Sequence, residues 1–169
     1  MASRAYVGLG SNLGHPRRRV ARALFALSRL PRTRLAAASG NYVSSPVGSS
    51  EPQPDYVNAV AVLSTSLGPL ALLRQLRAIE RRLGRRRPPD ERRNAPRVID
   101  LDLLLYGRRR VSRPGLVIPH PRMHERAFVL RPLLDVAPEI AIPGRGAARS
   151  WVARTRGQRI ARTRRHVWR

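Results

Sequence analysis

Cysteine and lysine are both missing from this chain of 169 residues, and acids are scarce. Without cysteine it can build neither a disulfide framework nor a thiolate metal site. Without lysine it has no Walker A loop, so any nucleotide must be gripped by other means. Aromatic residues make up only 5%, which is poor material for a sheet that stacks RNA bases. No run of eighteen apolar residues occurs, and the start MASRAYVGLGSNLG lacks a continuous apolar core. These absences predict a soluble, cytoplasmic protein with no secretory signal and no membrane span. In GLGSNLG, residues 8–14, the third glycine falls one position too late for a dinucleotide fingerprint. No acid follows about twenty residues on, so a Rossmann site is excluded as well.

What is present is arginine. All 34 basic residues are arginine against 10 acids, a formal charge of +24. Such a balance attracts nucleotides, nucleic acids and acidic surfaces, although arginine beside heavy alanine, proline and glycine use is also what GC-rich coding produces. Hydrophobic residues at 42% suffice for one packed domain. Beyond Glu139 there is no acid, and the last 25 positions carry nine arginines. Residues 1–144 are therefore expected to form the domain, and 145–169 an arginine-rich tail, helical or disordered, able to bind polyanions.

Periodicity sets the element order. Arg4 to Leu9 reads as a strand. Val20, Leu24, Leu27 and Leu30 recur at helical spacing between Pro16 and Leu30. Leu35 to Val43 and Tyr56 to Leu63 read as strands flanking a proline-rich loop, 45–55. Pro69 opens a second helix whose buried stripe is Leu70, Leu73, Leu76, Ile79 and Leu83, and Gly84 stops it. Residues 85–96 read as a mobile cationic loop, and Val98 to Tyr106 as the most apolar strand. Leu116 to Ile118 are a candidate edge strand, and Glu125 to Val136 a helix. This order predicts an α+β fold with a ferredoxin-like antiparallel sheet, an α/β/α-type sandwich with extra C-terminal elements. Helices would cover one sheet face and leave the other free for a site.

Asp100 and Asp102 carry the strongest chemical signal. Two residues apart on a strand, they share one face while Leu101 takes the other. Paired carboxylates in apolar surroundings repel unless a cation joins them, and hard oxygen ligands suit Mg²⁺ with substrate phosphates. Arg85, Arg87, Arg92, Arg93 and Arg97 lie just upstream, and guanidinium forks bind phosphate oxygens. Metal-holding acids beside phosphate-holding arginines are the parts of a phosphoryl-transfer site. Tyr56 and Asn58 share a strand face and can stack on and hydrogen-bond a flat heterocycle. His120 is held between Pro119 and Pro121.

These pieces, in this order, resemble the 6-hydroxymethyl-7,8-dihydropterin pyrophosphokinase family from about Ala5 to Gly144. The most specific stretch is RNAPRVIDLDLL at 93–104, supported by GSNL at 10–13, PDYVN at 54–58 and PHPRM at 119–123. The resemblance implies an enzyme of folate biosynthesis that transfers diphosphate from ATP to the pterin hydroxymethyl group and releases AMP. It implies ATP as co-substrate, two Mg²⁺ ions on Asp100 and Asp102, and catalytic roles for Arg85, Arg87 and Arg97. Glu80, Arg85, Arg97, His120 and Arg126 match nucleotide-binding positions, whereas Gly10, Ser44, Ser45, Val47, Tyr56, Asn58 and Phe128 match the pterin pocket. It implies small-molecule partners, no membrane, no required nucleic acid and a monomer. Asn94, Gly115 and Arg77 depart from the pattern of some members. The rival readings, an RNA-binding module and a non-catalytic structural protein, place two acids where phosphate would be repelled or leave the pair without purpose.

Overall fold

A computed structural model describes residues 1–164; the final five residues of the expected tail lie outside the described residues. The first helix, α1 (Pro16–Ser28), begins on a proline whose fixed φ suits the opening turn, and so does α2 (Pro69–Arg82). Each turns one apolar stripe inward: Val20, Leu24 and Leu27 from α1, and Leu72, Leu76 and Ile79 from α2. The α2 stripe is rotated from expectation, with Leu72 buried while Leu70 remains exposed. The helix ends at Gly84, whose φ of +96° is a conformation that side chains rarely tolerate.

The strands are β1 (Ser3–Ser11), β2 (Thr33–Ala38), β3 (Tyr42–Ser44), β4 (Tyr56–Thr65) and β5 (Asp100–Tyr106). They are followed by the hairpin β6 (Val111–Arg113) and β7 (Leu116–Ile118), helix α3 (Ala127–Val136), the pair β8 (Ala141–Ile142) and β9 (Gly146–Ala147), and finally β10 (Ile160–Arg162). The main sheet runs β10-β3-β4-β1-β5, with β2 also on β4, and each of its pairings is antiparallel. The single strand expected over 35–43 is split into β2 and β3. Ser39 explains the break, because its hydroxyl accepts the Val60 N–H and donates to the Gly40 carbonyl, replacing regular ladder bonds.

Helices α1 and α2 pack on one face against Val7, Leu9, Leu63, Leu101 and Leu103. The opposite face is not left free: Leu130 and Leu133 of α3, with Met123 and Ala148, pack there against Tyr6, Val60, Val62 and Leu104. Expectation and structure agree on the sandwich, and the site is confined to the part of this face that α3 leaves uncovered. Leu116 to Ile118 pair with β6 outside the main sheet, and the His120 N–H bonds the Leu104 carbonyl at 2.9 Å on the outer side of β5.

The arginine-rich stretch expected to be helical or disordered enters the fold over its described part. Residues 148–155 form a 3-10 helix, and β10 then extends the sheet beside β3. Its arginines look outward while its backbone completes the ladder. Charge patterning alone hid that, because strand pairing uses no side chain.

Candidate active site

Asp100 and Asp102 sit opposite Gly10 and Gly8 of β1, on the sheet face shared with α3, and both line one cavity. Their environments differ. Asp100 accepts from Arg85 Nη1 at 2.5 Å and from Arg97 Nη1 at 2.6 Å. Burial works to raise it, but the two guanidinium groups outweigh burial and hold it below the usual carboxylate range. The Asp102 carboxylate has neither hydrogen bond nor ion pair among the described residues. Burial, and then the charge of Asp100, push it up to about 7. A desolvated carboxylate with spare lone pairs beside an ionised one is a donor set suited to a divalent cation. No cluster of three or more His, Cys, Asp or Glu able to hold a metal occurs among the described residues. A cation held by this pair would complete its shell with water and substrate oxygens, as Mg²⁺ ordinarily does.

Around the edge of β5, α2 contributes Glu80, buried at 2% exposure. Its carboxylate accepts from Arg85 at 2.8 Å, from Arg87 at 2.8 Å and from the Leu101 N–H at 3.2 Å. Edge strands leave such N–H groups unpaired unless something covers them. Arg85 itself is buried at 5% exposure, unlike the rest of the cationic loop, and links Glu80 to Asp100. It lies behind the carboxylate pair and outside the cavity they line. Arg87 is half-exposed and held by Glu80.

The cavity joins every residue expected for a heterocycle pocket: Gly10, Ser44, Ser45, Val47, Tyr56, Asn58 and Phe128, with Arg97 and Arg126. Asn58 donates to Ser44 Oγ at 2.8 Å, leaving its carbonyl end for other donors. A side chain at Gly10 would begin 3.3 Å from Asn58 Oδ1 and 3.7 Å from the Tyr56 ring, so glycine keeps this wall open. Arg126 lies over the Phe128 ring at 5.4 Å.

A second cavity lies on the outer side of β5, lined by Leu73, Arg77, Glu80, Arg87, His120 and Asp102 among others. Asp102 belongs to both chambers. Gly115 and Arg77, two departures from the pattern, border this second chamber. Burial, with Arg126 and Arg122 nearby, lowers His120 to about 4, so it is neutral at physiological pH.

The proline-rich loop and the cationic loop are joined beside the first cavity. Asn94, at φ +62°, donates to the Gly48 carbonyl, and Gln53 donates to the Asn94 carbonyl at 3.0 Å. Asn12 binds Gln53 and Pro54 through its amide nitrogen and the Arg97 N–H through its oxygen. The sequence reading missed Arg122 and Asn94 as cavity residues. Arg122 had a signal, its place two residues beyond His120 in PHPRM; Asn94 had one in its departure from the family pattern, though its bond to Gly48 depends on a backbone turn. It also missed Gln53, whose position in a proline-rich loop gave no sign of a partner 41 residues away.

Residues 6–138 match the model of the 7,8-dihydro-6-hydroxymethylpterin-pyrophosphokinase family. A 2-amino-4-hydroxy-6-hydroxymethyldihydropteridine pyrophosphokinase of Pseudomonas aeruginosa is 50% identical over 143 residues, 85% of this chain and 86% of that protein. One from Haemophilus influenzae is 46% identical over 139 residues, 82% of this chain and 84% of the relative. Among solved structures, Plasmodium falciparum HPPK-DHPS with pteroate superposes at a TM-score of 0.70 and 13% identity, over 90% of this chain. The chain spans 42% of that longer protein, and this likeness shows the fold alone.

Proposed function

The chain belongs to the 7,8-dihydro-6-hydroxymethylpterin-pyrophosphokinase family, and on that premise we propose how its site works. The protein is an ATP-dependent diphosphotransferase that passes diphosphate from ATP to the hydroxymethyl group of 6-hydroxymethyl-7,8-dihydropterin and releases AMP, in folate biosynthesis. One observation carries the division of roles: Asp102 stands where two chambers meet, one lined by Tyr56, Asn58 and Phe128, the other by Glu80, Arg87 and His120. The pterin occupies the first, its ring against Tyr56 and Phe128 and its polar edge on Asn58, Ser44 and the backbone near Gly10, Ser45 and Val47. The nucleotide approaches through the second, past His120.

Asp100 and Asp102 would hold two Mg²⁺ ions, which when bound neutralise charge on the phosphate oxygens. Arg97 and Arg126 face the same space and grip the triphosphate. Arg85 fixes the Asp100 carboxylate from behind, and Glu80 holds Arg85 and Arg87 in place. The hydroxymethyl oxygen forms a bond to the β-phosphorus as the bridge to the α-phosphate breaks. AMP departs with the bridging oxygen, and the hydroxyl proton passes to water. No side chain stands out as general base; alignment and charge stabilisation supply the rate. The joined loops 45–55 and 88–97 shield the reactants from water.

Asp100→Ala should abolish pterin-dependent AMP formation from ATP and magnesium; full activity in this variant would remove the carboxylate role. Calorimetry with a non-hydrolysable ATP analogue should give tight binding only with magnesium present. The same reading has the protein act in the cytoplasm as a monomer on small molecules. Nucleic acid takes no part in the reaction, and the basic tail is free to hold polyanions by charge alone.

A further inference from the structure

The N-terminus of α3 carries two cavity residues, Arg126 and Phe128, yet its own N-cap residue, Arg126, makes no side-chain cap. The missing cap comes from a residue 31 positions away: the Ala127 N–H donates to Gln158 Oε1 at 2.8 Å. The other end of the same amide donates to the Glu125 carbonyl at 2.7 Å. One side chain therefore bonds both sides of the Arg126 turn. Gln158 is fixed in its own turn, because its N–H bonds the Thr155 carbonyl at 3.0 Å.

The two residues that follow Gln158 hold a second part of the cavity lining. The Ser45 N–H donates to the Arg159 carbonyl at 3.2 Å, and Ile160 pairs with Ser44 in the sheet. Ser44 and Ser45 line the same cavity as Arg126 and Phe128. Three consecutive C-terminal residues thus join the two sides of the pocket at a fixed spacing.

We infer that Gln158 is a positioning residue for the pterin, setting the distance between the Phe128 side and the Ser44–Ser45 side of the pocket. The inference rests on the pterin occupying this cavity. Gln158 touches neither substrate; its removal frees the first turn of α3, whose orphan N–H groups then turn to water. Ring stacking and amide recognition need both walls placed to within a fraction of an ångström. Loosening one wall weakens pterin binding much more than it weakens nucleotide binding.

The test is Gln158→Ala in the full-length protein, titrated with fluorescent 6-hydroxymethylpterin in the presence of a non-hydrolysable ATP analogue and magnesium. Pterin affinity should fall roughly 5- to 20-fold, the range of one to two lost hydrogen bonds. Pterin KM should rise in parallel, ATP KM should move less than twofold, and the melting temperature should fall only slightly. Gln158→Glu keeps the acceptor for Ala127 but loses the donor to Glu125, and should fall between wild type and Ala. Should the Ala variant fold poorly, Gln158→Met retains the packing without the hydrogen bonds and should show the same loss. Unchanged pterin affinity in Ala or Met, or equal losses for pterin and ATP, overturns the positioning role. A wild-type protein that binds the ATP analogue but no pterin would instead sink the functional reading, and the inference with it.

Discussion

Asp102, the cation ligand of the proposed mechanism, works against its own fold. Its carboxyl is raised to about 7 by burial and by Asp100, so the folded state prefers the protonated form. Between the unfolded value and about 7 the unfolded chain gives up this proton first, so stability declines as pH rises through that window and stays low above it. Asp102→Asn should therefore melt higher than wild type at pH 8, with little difference at pH 4, while pterin-dependent AMP formation falls by at least a thousandfold. One kcal/mol corresponds to about 2–4 °C for a chain of this size, so scanning calorimetry would resolve the gain. His120 gives the opposite pH signature. It is lowered to about 4 by burial and by Arg126 and Arg122, so below pH 6.5 the unfolded chain takes up a proton that the folded state refuses. Stability should drop as pH falls from 6.5 towards 4, and His120→Gln should flatten that part of the curve in denaturant titrations. The Asp pair was readable from spacing on a strand; the difference between its members was not, because the ion pairs of Arg85 and Arg97 both go to Asp100.

At the scale of elements, the helices were legible because a 3–4 residue repeat and an opening proline state both their phase and their start. Strands were harder to read. β2 and β3 appeared as one because nothing in the sequence marks the Ser39 hydroxyl as a competitor for ladder bonds. β10 went unseen because the arginine-rich stretch around it read as solvent-facing, while the pairing belongs to the backbone. Arg85 was expected in a mobile loop, and three partners, Glu80, Ile99 and Asp100, pull it into the interior. The join between β3, α3 and β10 rests on Tyr42, whose hydroxyl donates to Asp135 Oδ2 at 2.9 Å while Arg162 approaches the same oxygen at 3.6 Å. Burial, with help from Asp135, pushes the Tyr42 hydroxyl up to about 12. Tyr42→Phe should destabilise the protein by about 1 kcal/mol through the lost hydrogen bond, measurable by urea unfolding, with little effect on kcat.

For the whole molecule, charge is the dominant variable. With +24 on 169 residues, mutual repulsion opposes the compact state, and salt screens it within about 10 Å at 0.1 M. Raising sodium chloride from 20 to 300 mM should increase the melting temperature, while the KM for ATP rises because attraction of the tetra-anion is screened in the same range. A melting temperature insensitive to salt would mean that the arginines are spaced too widely to repel. The overall sandwich followed from element order, and the family from four short stretches. The bridging of one end of the chain to the pocket wall could not be read, since a lone glutamine among arginines has no pattern. The clasp between residues 48, 53, 94 and 12 has a kinetic corollary. Parting the loops breaks at least four hydrogen bonds, each with a net value of about 0.5–1.5 kcal/mol. In the proposed mechanism the diphosphorylated product leaves only after that unlatching, and variants that lose these amides should release it faster.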